Sequence, residues 1–248
     1  LGQLHTIQGH YQQAEMFFEQ SGVIWEQYAM LTPHLFKGPY LHWFALLWLI
    51  KNQHEKARDL LEKEQTLLVE ILGENHPIRA DNINALAQLA LSEGEYSRAE
   101  ELLGHAKGIF EQTTGLNHPF AARTFHIWAQ LSLVQDDIRQ AQQHCQKALH
   151  ISEHVCGENH PETAMIMKTM ADIYKVQRRW AEAEFLYQRV LTMFEEAWGS
   201  IHPENAATLE SYAELLHRRN RDVEAAALRS QAQTIREEHS LLTIGAGL

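Results

Sequence analysis

One octet occurs four times in this 248-residue chain, always at the same interval. It reads Gly73-Glu74-Asn75-His76-Pro77-Ile78-Arg79-Ala80, returns from Gly115 to Ala122 and from Gly157 to Ala164, and closes from Gly199 to Ala206, with 42 residues between successive copies. Glycine, histidine, proline and the final alanine hold their places in every copy. A fixed period of about 20–50 residues marks a repeat architecture, in which each supersecondary unit covers its apolar face only by stacking on its neighbours. The period therefore predicts a solenoid of like units.

The octet itself reads as a helix stop followed by a helix start. Glycine reaches the left-handed conformation that ends a helix, and proline fits the first position of the next, where its missing N–H has no partner to lose. His76, His118, His160 and His202 then fall at the N-cap, where a ring nitrogen accepts from an unpaired backbone amide. An interval of 42 residues puts these histidines in successive units, as four caps and not as one shared metal or acid–base centre.

From residue 39 onward five units fit, at 39–80, 81–122, 123–164, 165–206 and 207–248, each with two segments of helical periodicity. The first segments repeat an apolar stripe: Leu41, Phe44 and Leu47 return as Ile83, Leu86 and Leu89, and so on to Leu209, Tyr212 and Leu215. Ala45, Ala87, Ala129, Ala171 and Ala213 lie within the stripe, and Ala57, Ala99, Ala141, Ala183 and Ala225 follow twelve residues later. Small residues held at fixed places on both helices mark the closest approach of the two axes. The second segments carry Leu67, Ile109, Ile151, Met193 and Ile235. The turns inside the hairpins are polar and only one holds a glycine, Gly94, so polarity more than a helix breaker is expected to define them. The expected fold is all-α: one solenoid domain over 1–248, built of antiparallel helix hairpins.

The two ends depart from the pattern. Residues 1–38 form a partial, irregular repeat, with a helix tail from Leu1 to Gln8 and a second helix from Tyr11 to about Met30. The next junction reads Leu31-Thr32-Pro33-His34 and lacks the usual glycine, which predicts an irregular turn. Unit 207–248 reads as a cap, because Arg229 and Arg236 stand where earlier second helices carry Leu61 and Leu68. Its helix is expected to end near His239, before the short tail from Leu242 to Leu248.

Lys and Arg number 21 against 32 Asp and Glu, a formal charge of −11, which disfavours nucleic acid and anionic membranes as partners. Cys145 and Cys156 form no CxxC pair or disulfide framework, a pattern that fits a reduced, cytoplasmic protein. The longest apolar run, Trp43 to Ile50, falls short of a membrane span. The chain opens with Leu1 within a helix pattern, so other domains of a longer chain are expected as partners. No phosphate loop or catalytic triad is legible, and no cofactor or enzymatic activity is expected. His150 and His154 at helical spacing supply only half a zinc site, so no metal is expected either.

The spacing Ala87…Gly94-x-Tyr96-x-x-Ala99-Glu100 resembles the tetratricopeptide repeat (TPR). The 42-residue period and its Gly-x-x-His-Pro-x-x-Ala boundary are similar to the longer subtype of kinesin light chains, and to the C-terminal arrays of bacterial STAND-type signalling ATPases. The resemblance covers essentially the whole chain. It implies a right-handed superhelix whose first helices line a concave groove for a peptide or protein segment. Kinesin light chains carry consecutive asparagines just before the core Leu-Ala. Here those places read His42-Trp43, Asn84-Ala85, His126-Ile127, Lys168-Thr169 and Glu210-Ser211, and only Asn84 keeps the amide. The departure points to the sensor or partner-recognition arm of a larger cytoplasmic signalling protein. A self-associating scaffold and a peptide-receptor regulator of the quorum-sensing kind are the alternatives.

In such a groove the ligand meets the residues three before, one after and four after each first-helix alanine. They read His42, Leu46 and Leu49; Asn84, Gln88 and Leu91; His126, Gln130 and Leu133; Lys168, Asp172 and Lys175; then Glu210, Glu214 and His217. The series runs from apolar to charged and would complement an extended segment with one apolar and one polar end. The helix around Trp43 to Ile50 is apolar on nearly all sides. It is expected either to pack on the first unit or a preceding domain, or to form a hydrophobic ligand pocket.

Overall fold

The computed structural model describes residues 1–28 and 37–245, and among them there are twelve α-helices and no strand. A partial hairpin comes first, α1 (Gly2–Ile7) and α2 (Tyr11–Tyr28). Five full hairpins follow, on the five units read from the sequence: α3 (Lys37–Ile50) with α4 (His54–Leu72), α5 (Pro77–Ser92) with α6 (Tyr96–Gln112), α7 (Pro119–Val134) with α8 (Ile138–Val155), α9 (Pro161–Val176) with α10 (Trp180–Trp198), and α11 (Pro203–Arg218) with α12 (Asp222–Gly245). The chain divides into two compact units, Leu1–Ile127 and Trp128–Leu248, with the boundary inside α7.

Both alanine columns are completely buried, from Ala45 and Ala57 through to Ala213 and Ala225. They are where the two helices of each hairpin meet, and the larger stripe residues then reach across to the next hairpin. In the first unit Leu61 of α4 packs with Ala85, Leu86 and Leu89 of α5. In the second, Tyr187 of α10 packs with Tyr212, Leu215 and Leu216 of α11, its ring stacked on that of Tyr212 at 5.8 Å. Each hairpin thus hides its apolar stripe twice, within itself and against a neighbour.

The unit boundaries follow the octet. Gly73 has φ 78° and ψ −179°, and Gly199 φ 84° and ψ 168°, so the helix ends in an extended positive-φ conformation that is essentially restricted to glycine. Nδ1 of His76, His118, His160 and His202 accepts the backbone N–H two residues on, at 3.2 Å in every case. The turns inside the hairpins correct the expectation from polarity. Asn52, Gly94, Asp136, Arg178 and Asn220 all take positive φ, between 55° and 77°, as a shared helix stop. The next N–H in each closes onto a carbonyl five residues back, as in Gln53 to Trp48 and Arg179 to Tyr174, at 2.8 and 2.9 Å. Asn and Asp tolerate that conformation through local hydrogen bonding; Arg178 does so without that help.

The expected irregular turn at Leu31 to His34 lies outside the described residues. Phe44, Leu47 and Trp48 of α3 pack on Ala14 and Phe18 of α2, with Phe18 and Phe44 stacked at 5.2 Å, so most of the apolar helix covers the partial first repeat. At the other end Arg229 and Arg236 are exposed on α12, and Arg236 Nη2 donates to Glu210 at 2.7 Å, as a capping helix requires. α12 does not stop near His239 but runs to Gly245, since 240–244 offers neither glycine nor proline to break it. Among the described residues no helix is long and apolar enough to cross a membrane.

Candidate functional site

Of the fifteen residues expected to face a ligand, the twelve in the first four full repeats fall into two groups. Leu46, Leu49, Gln88 and Leu91 in the first unit, and Gln130, Leu133, Lys168 and Asp172 in the second, keep part of their surface in solvent. His42, Asn84, His126 and Lys175 are buried. Two of these four tie neighbouring first helices together. Asn84 of α5 donates to the Phe120 carbonyl at 2.9 Å and accepts from Thr124 at 2.8 Å, both on α7. Lys175 of α9 donates to Glu214 of α11 at 2.8 Å and lies 3.0 Å from Asp172, which accepts the Tyr187 hydroxyl at 2.6 Å. The Lys175 ammonium holds the Glu214 carboxyl below its ordinary range, and burial beside Asp172 pushes the Tyr187 phenol up. Polar residues on this face therefore fix the spacing of the first helices and leave the half-exposed ones for a partner.

His42 belongs to a second constellation, which the sequence reading did not find. Its Nδ1 lies 3.1 Å from Glu64 Oε2 and its Nε2 3.4 Å from Asp81 Oδ2. Asn82 Nδ2 donates to the same Glu64 oxygen at 2.8 Å and to the Leu61 carbonyl at 3.0 Å. Arg123 Nη1 donates to Asp81 Oδ1 at 2.9 Å. Burial alone would lower the His42 pKa, but the hydrogen bond to Glu64 and the charges of Asp81 and Glu64 outweigh it, and the imidazole is held above its ordinary 6.5. Glu64 is only 2% exposed, and a carboxylate so deeply placed needs these partners. A signal for it was present in the sequence: in the other four units its column reads Ala106, Ala148, Val190 and Ala232, all fully buried.

Among the described residues no three His, Cys, Asp or Glu side chains gather where they could hold a metal ion. Cys145 is buried with its thiol directed to the Ile166 carbonyl at 3.4 Å, and burial pushes its pKa up.

Two family profiles described as tetratricopeptide repeat match the chain, one over residues 80–120 and one over 120–196. No curated protein matches it. Among solved structures, BtubC (BKLC) from P. vanneervenii is 16% identical with a TM-score of 0.64, covering 90% of this chain and 88% of its own. A putative kinesin light chain with nearly identical TPR-like repeats, from Podosopora anserina, is 22% identical with a TM-score of 0.56, covering 80% and 94%. A Rap protein complexed with competence and sporulation factor is 12% identical with a TM-score of 0.70, covering 96% and 73%. At these identities the likeness is one of fold. Residues 80–196 of this chain match tetratricopeptide-repeat profiles, and helix hairpins of the same kind continue on either side.

Proposed function

We propose that the chain is a non-catalytic recognition module that binds a protein or peptide segment along its first helices. The observation that carries this reading is the division of labour on that face. Leu46, Leu49, Gln88 and Leu91 in one unit, and Gln130, Leu133, Lys168 and Asp172 in the other, stay accessible on helices whose far sides are locked by the alanine columns. A rigid helix presenting amides beside leucines loses little conformational entropy when it binds, so modest contacts suffice. The net charge of −11 favours a neutral or basic segment over nucleic acid.

The finer reading is that this module is the partner-recognition arm of a larger signalling protein in the cytoplasm, in line with its resemblance to the repeat arrays of signalling ATPases. A second reading, a peptide-receptor regulator, is supported by the likeness to the Rap protein complexed with competence and sporulation factor. Affinity capture followed by a purified binding titration tests the shared claim. Gln88→Ala with Gln130→Ala should weaken capture about thirtyfold, as expected for two lost hydrogen bonds of about 1 kcal/mol each. The melting temperature should move by only a few degrees, because neither side chain is part of the core. An unchanged affinity would move the site off this face.

A further inference from the structure

Two features coincide at one place in unit 39–80. Between α3, α4 and the start of α5 lies a cavity of about 420 Å³, walled by Trp43, Leu67, Leu68, Leu72, Ile78 and Phe120, with His42, Glu64 and Asp81 at its polar side. Small-molecule sites commonly span about 300–1,000 Å³. Register explains why there is space. In unit 165–206 the positions of Leu68, Leu72 and His76 hold Phe194, Trp198 and His202, with Phe194 stacked on Trp198 at 4.8 Å and Trp198 tilted against His202 at 4.3 Å. In unit 81–122 the Leu68 position holds Phe110, fully buried and stacked on His118 at 5.5 Å. Leucine in place of these rings opens the volume, and Glu64 in place of a buried alanine or valine puts a carboxylate beside it. A void and a buried charge each oppose stability, and their coincidence in one repeat is what a site looks like.

The polar side selects the chemistry. His42 is 8% exposed; its Nδ1 is engaged by Glu64, while its buried Nε2 makes no hydrogen bond and lies 3.4 Å from Asp81 Oδ2. Both ring nitrogens thus face carboxylates. Glu64 Oε2 already accepts from His42 and Asn82, and Asp81 Oδ1 from Arg123. The remaining polar capacity that Glu64 and Asp81 offer is acceptor lone pairs. We infer that this cavity binds a small amphiphile, an apolar chain ending in a hydrogen-bond donor, with an alkylammonium ion preferred and a fatty-acid carboxylate rejected. The chain would lie against Leu67, Leu68 and Leu72 and the donor against the two carboxylates. This site shares none of the eight accessible residues of the first-helix face and does not depend on them.

Octylamine, 1-octanol and octanoate, titrated into the protein at pH 7 by calorimetry and by tryptophan emission, test the inference. Octylamine should bind saturably at one site, with the emission change lost in Trp43→Phe, and octanoate should bind at least about tenfold more weakly. Octanol should fall between them. Leu68→Phe with Leu72→Trp, which copies the residues of unit 165–206, should keep the helical circular dichroism and lose octylamine binding at least about tenfold. Glu64→Gln should retain octanol and lose the preference for the amine. Absence of saturable binding in the unmodified protein, octanoate binding as well as octylamine, or undiminished binding by a folded filled variant would each overturn the inference. The ligand comparison on the unmodified protein decides the matter even if the filled variant does not fold.

Discussion

Replacing Glu64 by alanine would restore the residue that Ala106, Ala148 and Ala232 supply at the same register. On register alone the change should be neutral. The contacts predict a large loss instead. Glu64 Oε2 is the acceptor for His42 Nδ1 at 3.1 Å and for Asn82 Nδ2 at 2.8 Å, and hydrogen bonds to a charged group contribute about 1.5–3 kcal/mol each. Removing the carboxylate also removes its own desolvation cost, which offsets part of that sum. It leaves a buried imidazole without the hydrogen bond and the charge that chiefly raised its proton affinity. Removing one partner of a buried pair typically costs about 3–5 kcal/mol, and about 3 kcal/mol is expected here because Asp81 stays beside the ring. With a urea slope of about 2 kcal/mol per molar, the midpoint should fall by about 1.5 M. The double variant His42→Asn with Glu64→Ala copies the Asn84 and Ala106 pair of the next unit, strands no charge, and should recover at least half of the loss. Urea unfolding followed by far-UV circular dichroism measures all three proteins. An unchanged midpoint for Glu64→Ala, or a double variant no better than the single one, would refute the coupling between His42 and Glu64.

Because the folded pKa of His42 is raised above its ordinary 6.5, the stability its pairing confers is complete below that value and is lost as pH rises through the folded pKa. The urea midpoint of the unmodified protein relative to His42→Asn should therefore shrink from pH 6 to pH 9, and a growing gap would contradict the assignment. Arg178 sits at φ 60°, where a non-glycine residue is strained by about 1–2 kcal/mol, so Arg178→Gly should stabilise by about 0.5–1 kcal/mol after the added unfolded-state entropy is subtracted. Thermal melting checks it, and destabilisation would mean the turn is not strained. Ala129→Leu puts a larger side chain at a fully buried position of α7 and should cost about 1–3 kcal/mol by the same measurement.

The architecture was legible because its signals repeat. One glycine with positive φ or one histidine cap would mean little, but four in step fix where helices stop and start, and ten buried alanines fix how they pair. The hairpin turns were misread because their common feature is a backbone angle, reached by Asn, Asp, Arg and Gly alike, and composition does not display an angle. α12 outran its expected end because terminal helices stop where the chain supplies a breaker, and Gly245 is the first. The candidate site was half legible. Helical geometry found Leu46, Gln88 and Gln130, but could not tell that Asn84 and Lys175 spend their polar groups on the neighbouring helix, since those partners lie 36 and 39 residues away in sequence. Glu64 shows in the sequence only as a break in a column that is otherwise alanine or valine, and its partners His42 and Asn82 lie 22 and 18 residues away.

Whether a partner segment lies on the first helices is decided most directly by photo-crosslinking. A benzophenone amino acid placed at Gln88 on α5, and separately at exposed Glu101 on α6, would be irradiated with a captured partner bound. Covalent capture at 88 and none at 101 is the expected result. Efficient capture at 101 with none at 88 would place recognition on the second helices and contradict the proposed function.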